Sequence, residues 1–384
     1  MSDSLTSTAT FSPEQARWPL ILSIASVIMF VVVSPLMPLK RPVIQENRVL
    51  TARPPFPMSV AEWAELPKKL ESYGADNFPL RGHLISFLNE VRYDLGYSGS
   101  KRIIVGREGW LFYDTDDHLG ITAGKVRMDQ ANLALWLKGF EQRVAFLKSR
   151  GIAFYMLMAP VKEDIFPEYR PVWMPQQRVL TEIDDFHRVT TEAGYTQLVD
   201  PRPKMLRKKN EQKLYDKYDT HWTGLGGYIG YSSLMARVAQ DFPELAPLPL
   251  SQFAPVNIPS TQQPRDLALM LGVKRLPDKV SYATVPEHDA RRTHFLGPRE
   301  DWTAPAILHT GSSSGKTLLL IRDSFSHELL PFLKPHFSNI IVAHTQDGFF
   351  RRDLIEEYKP DVVVLEVIET GARFTMDLLP STDP

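Results

Sequence analysis

No cysteine occurs among the 384 residues, so disulfides, zinc–thiolate sites and thiol nucleophiles are all excluded. That lack is compatible with an oxidising compartment. An excess of charge is missing as well: 44 Lys and Arg face 45 Asp and Glu, a formal net charge of -1. Broad electrostatic binding to nucleic acid needs a basic surface, and this chain has no surplus from which to build one. No internal repeat is found, and long apolar runs are absent with a single exception. Residues 18–39 read WPLILSIASVIMFVVVSPLMPL, 22 residues without a charge, which is enough to span a bilayer. Nothing after the run resembles a small-residue cleavage site. An uncleaved signal anchor is therefore expected, with a cleaved signal peptide as the alternative. Arg17 stands against Asp3 and Glu14 on its amino side, and Lys40 and Arg41 follow it. On those charges alone the positive-inside rule favours a cytoplasmic main domain.

What is present is ordinary for a globular protein: 43% hydrophobic and 23% charged residues, in a length suited to one large domain or two modest ones. The 31 prolines point to ordered loops rather than a helical bundle. Residues 1–17 are rich in Ser and Thr and are expected to be disordered. Residues 40–99 form a link and helical lead-in, with the Pro-rich stretch Arg53–Pro57 and helices at about Val60–Tyr73 and Leu80–Leu95. Leu84, Ile85, Leu88 and Val91 make the apolar stripe of the second helix.

From residue 100 strands and helices alternate. Arg102–Val105 and Trp110–Tyr113 read as a hairpin around Gly106–Gly109. Apolar strands are expected at Ile152–Met158, Thr196–Val199, Thr317–Ile321, Asn339–Ala343 and Val362–Val367. Helices are expected at Met128–Lys148, Gln177–Ala193, Thr223–Gln240, Ser326–Leu333 and Arg351–Tyr358. Strands apolar on both faces, separated by helices, predict an α/β domain whose parallel sheet is covered on both sides. Ligands of such sheets bind at the carboxyl ends of the strands, where Ser324, Pro160–Lys162, His344 and Glu369 would lie. Residues 247–305, rich in Pro, Gln and Arg, read as a long insertion facing the substrate, with only Arg265–Gly272 locally ordered.

The strand Thr317–Ile321 runs into Arg322-Asp323-Ser324-Phe325-Ser326-His327. A serine at a strand-to-helix turn exposes its hydroxyl, and N–H groups at a helix start can hold an oxyanion. Its base has a source in Asp219-Thr220-His221-Trp222, because residues two apart on an extended segment face the same side. Ser324, His221 and Asp219 are thus candidates for nucleophile, base and orienter. The plainer reading stays open beside this one. Asp and Ser are common helix caps, and His221 is then a packed surface histidine. Asp323 is less suited as the acid, since adjacent residues on a turn point apart. Gly311–Thr317 is no phosphate loop: three residues part its glycines where four are needed, and it precedes a strand instead of following one. Asp116, Asp117 and His118 lack the spacing of a recognised metal site and read as an exposed loop. No metal or cofactor is expected.

Six stretches, Asp76-Asn-Phe-Pro-Leu-Arg81, Val105-Gly-Arg-Glu-Gly-Trp-Leu-Phe-Tyr113, Ala159-Pro-Val-Lys162, Asp219-Thr-His-Trp222, Asp266-Leu-Ala-Leu-Met-Leu-Gly272 and Asp323-Ser-Phe-Ser326, carry a resemblance. Over roughly residues 70–370 the chain resembles the alginate O-acetyltransferase family, the membrane-anchored type with an SGNH-hydrolase-like fold. The resemblance implies a three-layer αβα domain over residues 100–384 with a mostly parallel sheet, preceded by one transmembrane helix. It implies Ser324 as nucleophile, His221 as base and Asp219 as orienter of an O-acetyltransferase acting on an exopolysaccharide. It also implies a multi-span membrane acyltransferase as acetyl supplier, a polysaccharide acceptor, and a catalytic domain in the periplasm anchored to the inner membrane. The tail 1–17 is then cytoplasmic, against the flanking charges. Arg322 departs from the family pattern, standing where the ordinary serine block has Gly. The oxyanion Gly and Asn have no counterpart here, which leaves the Ser324 N–H with Lys162 or Arg322 as donors and Trp222 as a further contact. A carbohydrate acetylesterase using water, and a non-catalytic scaffold of an export complex, remain the alternatives.

Overall fold

The computed structural model describes residues 21–22, 49–77, 80–259, 265–273, 279–283 and 292–379. Apart from Ile21 and Leu22 the expected anchor, like the tail before it, lies outside the described residues. Among the described residues no helix is long and apolar enough to cross a membrane. The chain divides into two compact units, Met1–Val91 and Arg92–Pro384. In the first, helix α1 (Val60–Asn77) ends where Asp76 Oδ2 accepts from the Thr51 N–H at 2.9 Å and Asn77 Nδ2 donates to the Thr51 carbonyl. Helix α2 (Arg81–Asp94) follows, and its apolar residues Leu84, Phe87 and Leu88 are exposed.

The second unit opens with the hairpin β1 (Ile103–Val105) and β2 (Leu111–Tyr113), in register Ile103 to Tyr113. Its main sheet comprises β3 (Ala153–Ala159), β4 (Leu198–Val199), β7 (Arg292–Phe295), β8 (Ala306–His309), β9 (Thr317–Arg322), β10 (Asn339–His344) and β11 (Val362–Ile368). The strand order is β4-β3-β11-β9-β10-β8-β7. The five strands from β4 to β10 run parallel, whereas β8 and β7 are antiparallel additions at one edge. The sheet is therefore mixed, not simply parallel.

Alternate residues of the central strands feed two separate cores. Leu318 and Leu320 of β9, with Val362 and Val364 of β11, join Trp222, Phe325, Tyr231 and Phe332 on one face. Leu319, Ile321, Val363 and Leu365 point to the other face, onto Phe140 of α3 (Gln130–Lys148) and Phe186 of α4 (Glu182–Glu192). This period of two, with both faces apolar, made these strands legible in the sequence.

Four expectations need correction. Residues 247–305 are not without strands: β5 (Ala254–Ile258) pairs with β6 (Lys279–Ala283), and β7 joins the main sheet. β5 and β7 are largely exposed, so no apolar pattern betrays them. The helix expected from Gln177 starts only at Glu182, where a Thr181–Asp184 capping box satisfies its first N–H groups. The segment Ser326–Leu333 is not one helix but a 3₁₀ turn (Ser324–Glu328) and one α-turn (Leu330–Leu333), followed by another 3₁₀ turn (Lys334–His336). Pro331 and Pro335 lack the N–H that a continuous helix requires. Finally, His118 is buried, not on an exposed loop, and its Nε2 lies 3.4 Å from Glu163.

Candidate functional site

Ser324 stands at the carboxyl end of β9, first residue of the 3₁₀ turn. Asp323 fixes that turn from below: Oδ1 accepts from the Phe325 N–H at 2.8 Å, and Oδ2 accepts from the Ile368 N–H at 2.7 Å. The second bond ties the serine turn to the end of β11. Glu366, fully buried on β11, accepts from the Asp323 N–H at 3.2 Å. Burial, then the charge of Asp323, pushes its carboxyl well above the ordinary carboxylate range.

The histidine arrives on the loop 216–221. Helix α5 (Arg202–Lys208) precedes the loop, and α6 (Gly224–Val238) begins beyond the Thr223 cap. Two glycines let α6 close on the serine turn. A Cβ at Gly227 would come within 2.7 Å of the Glu328 carbonyl oxygen, and one at Gly230 within 2.9 Å of the Trp222 ring. At that spacing His221 Nε2 lies 2.7 Å from Ser324 Oγ, and His221 Nδ1 lies 2.8 Å from Asp219 Oδ1. Asp219 Oδ1 also accepts from the His221 N–H at 3.0 Å. The structure thus brings together the three residues singled out as nucleophile, base and orienter, 103 positions apart in sequence between His221 and Ser324.

A second carboxylate faces the same imidazole. Asp266, at the start of α7 (Asp266–Leu271), holds the Thr220 N–H at 2.8 Å and brings Oδ2 to 3.7 Å from His221 Nδ1. Burial and the neighbouring Asp219 charge raise its pKa. In the sequence Asp266 opens one of the six stretches that carry the resemblance, and nothing there places it at the histidine. Asp219, His221 and Asp266 could together hold a metal ion. An ion there would compete for the Nδ1 position that now faces Asp219.

Lys162, Arg322 and Trp222, expected as oxyanion or substrate contacts, instead form the walls behind the site. Lys162 is buried, and its ammonium donates to the Asp219 carbonyl at 2.8 Å and the Asp216 carbonyl at 3.3 Å. It thereby holds the loop that carries Asp219. Burial lowers its pKa. Arg322 donates to the Trp302 carbonyl at 2.7 Å and to Ser326 Oγ at 3.3 Å. Trp222 is fully buried and donates from Nε1 to the Phe325 carbonyl at 2.9 Å. The polar contacts of the three go to backbone carbonyls and to Ser326. A cavity of about 840 Å³, lined by Arg143, Phe146 and Phe350 among others, contains none of Ser324, His221 and Asp219.

The family described as "SGNH hydrolase-like domain, acetyltransferase AlgX" matches residues 103–359. The probable alginate O-acetylase AlgJ of Pseudomonas syringae pv. tomato is 24% identical over 178 residues, 46% of this chain and 43% of that protein. The chain thus spans less than half the length of that relative. The probable alginate O-acetylase AlgJ of Azotobacter vinelandii is 22% identical over 329 residues, 82% of this chain and 81% of its own. Among solved structures, Bacillus cereus PatB1 superposes with a TM-score of 0.52 at 12% identity, over 72% of this chain and 99% of that one. At that identity the likeness speaks for a common fold.

Proposed function

The chain belongs to the family of SGNH hydrolase-like acetyltransferase domains, and from that premise we propose that it carries acetyl groups on Ser324 to hydroxyls of an alginate-like exopolysaccharide. The observation that carries this reading is the hydrogen-bonded series Ser324 Oγ–His221 Nε2–Nδ1–Asp219 Oδ1, with links of 2.7 and 2.8 Å. With Nδ1–H donating to Asp219 Oδ1, Nε2 is free to accept the Ser324 proton as Oγ attacks the acetyl carbonyl. His221 then protonates the leaving group, and an acetyl ester on Ser324 remains. A sugar hydroxyl next gives its proton to Nε2 and attacks that ester. Ser324 recovers the proton, and the acetylated glycan departs. At the turn, the N–H groups of Asp323, Phe325 and Ser326 are each given to a carboxylate or carbonyl. The Ser324 N–H is then the donor for the oxyanion.

An esterase would use the same residues with water as acceptor, so product analysis separates the two. With an acetyl ester as donor and an alginate oligosaccharide present, mass spectrometry is expected to find acetylated oligosaccharide. Acetate as the sole product, at every oligosaccharide concentration, would convert the reading to an acetylesterase.

We also place this chemistry outside the cytoplasmic membrane, on the uncharged run at residues 18–39 and on the family's work on exported polysaccharide. Acetyl-coenzyme A is cytoplasmic, so a multi-span membrane acyltransferase must hand acetyl groups across. A periplasm-dependent reporter fused after Pro384 is expected to be active. Activity confined to a cytoplasmic reporter would overturn the placement.

A further inference from the structure

Trp302 has no part in the chemistry above, yet its ring packs on His327 of the turn that carries Ser324. It lies on the loop between β7 and β8 and is 48% exposed. It is nevertheless held. Its carbonyl accepts from Arg322 Nη2 at 2.7 Å, and the guanidinium lies 5.7 Å from its ring centroid. The rings of His327 and His344 meet it edge-on, with centroids 4.9 and 4.8 Å away. The loop is braced by Asp301 Oδ1, which accepts from the Thr303 N–H at 2.8 Å, and by Arg299, which donates to the Thr303 carbonyl.

All these supports belong to the carboxyl edge of the sheet. Arg322 ends β9 directly opposite His344 at the end of β10, and His327 shares the 3₁₀ turn of Ser324. Single exposed apolar side chains are common on protein surfaces and call for no explanation. An indole immobilised by a guanidinium and two imidazoles, on the edge that carries the nucleophile, is a different matter. Such a face suits a ligand ring with a face of C–H groups. The slight positive charge of those groups meets the negative face of the indole, and stacking removes apolar area from water on both partners. A pyranose has such a face.

We propose that Trp302 is a stacking subsite for a pyranose ring of the acceptor glycan. The identity of the ligand rests on the acetyltransferase reading. Binding itself needs no turnover, so the two can fail separately.

The test is calorimetric titration of the detergent-solubilised full chain with a mannuronate oligosaccharide and, in a second arm, a neutral cello-oligosaccharide. Trp302→Ala is expected to weaken both by about tenfold or more, and Trp302→Phe by less than about threefold, because a smaller aromatic face remains. Thermal melts of each variant report whether the fold is kept. Affinity unchanged in Trp302→Ala, loss confined to the charged oligosaccharide, or no binding of either sugar by the wild type would each overturn the subsite. If the sugars bind in a Trp302-dependent way but no acetyl transfer occurs, the subsite stands and the catalytic reading falls.

Discussion

Ser324→Ala is expected to lower acetyl release from a chromogenic acetyl ester by about a thousandfold or more, and His221→Ala by a similar factor. The reason lies in the 2.7 Å bond between His221 Nε2 and Ser324 Oγ. A hydroxyl is a weak nucleophile until a base takes its proton, and the base has nothing to activate once the hydroxyl is gone. The two residues act as a unit, so the double variant should be no slower than either single one. Residual rate in Ser324→Ala would come from binding and backbone donors alone. A sulfonyl fluoride should add one equivalent to the wild type, at Ser324 by peptide mass, and none to Ser324→Ala. The variant is not expected to unfold, because the turn is held by Asp323 and Trp222 rather than by the serine hydroxyl. If Ser324→Ala turns over as fast as the wild type, the serine is not the nucleophile, for the cap of its turn is Asp323. The scaffold reading would then replace the enzymatic one.

The elements around this serine were legible in the sequence for a physical reason. β9, β10 and β11 are apolar on both faces and bounded by turn residues, so their existence follows from composition alone. The pairing of a strand-end serine with Asp219 and His221 needed only local geometry at each place. What escaped was set by tertiary contacts that leave no local trace. Lys162 sits at a strand's carboxyl end and looked available to a ligand, yet its ammonium is turned inward onto two backbone carbonyls. Trp222 follows the histidine directly, but the apolar layer under the turn takes its whole ring. Asp266 reaches His221 across 45 residues of chain (266 minus 221) from a segment read only as locally ordered. Trp302 lay in a stretch without periodicity, where a lone aromatic carries no signal. The strands β5 and β7 show the same limit, since an exposed strand has no apolar alternation to read.

Asp164→Ala is expected to destabilise the fold by about 3–5 kcal/mol, because it takes from the buried Arg170 its carboxylate partner and from Arg202 one of several. Asp164 is fully buried and serves three guanidiniums: Arg170 at 3.1 Å, Arg178 at 3.0 Å and Arg202 at 3.0 Å. Arg170 and Arg202 are themselves buried. Burial opposes the charge of Arg202, but Glu369, Asp200, Asp164 and Asp184 outweigh it and hold its pKa above the ordinary value. The network continues to the site. Arg202 reaches Glu369 at 3.1 Å, and Glu369 accepts from the Val161 N–H at 2.7 Å, one residue before Lys162. Arg178→Ala is the control. Its side chain is 21% exposed, and it leaves Asp164 with two partners, so about 1 kcal/mol or less is expected. Denaturant midpoints at pH 7 measure both. The proton on Glu369 adds a pH signature. Burial pushes this carboxyl up from 4.5 to about 8, with Arg202 opposing and the charges of Asp164 and Asp200 adding. A carboxyl with a raised folded pKa binds a proton on folding, so its contribution is full below about pH 4.5 and is lost as the pH rises through about 8. Glu369→Gln keeps the neutral form at every pH. Its stability should therefore fall less than that of the wild type between about pH 5 and pH 8. Parallel curves would mean that Glu369 folds as a carboxylate, charged against Arg202. Equal midpoints for Asp164→Ala and the wild type would mean that the carbonyls around Arg170 and the other carboxyl groups around Arg202 suffice without Asp164.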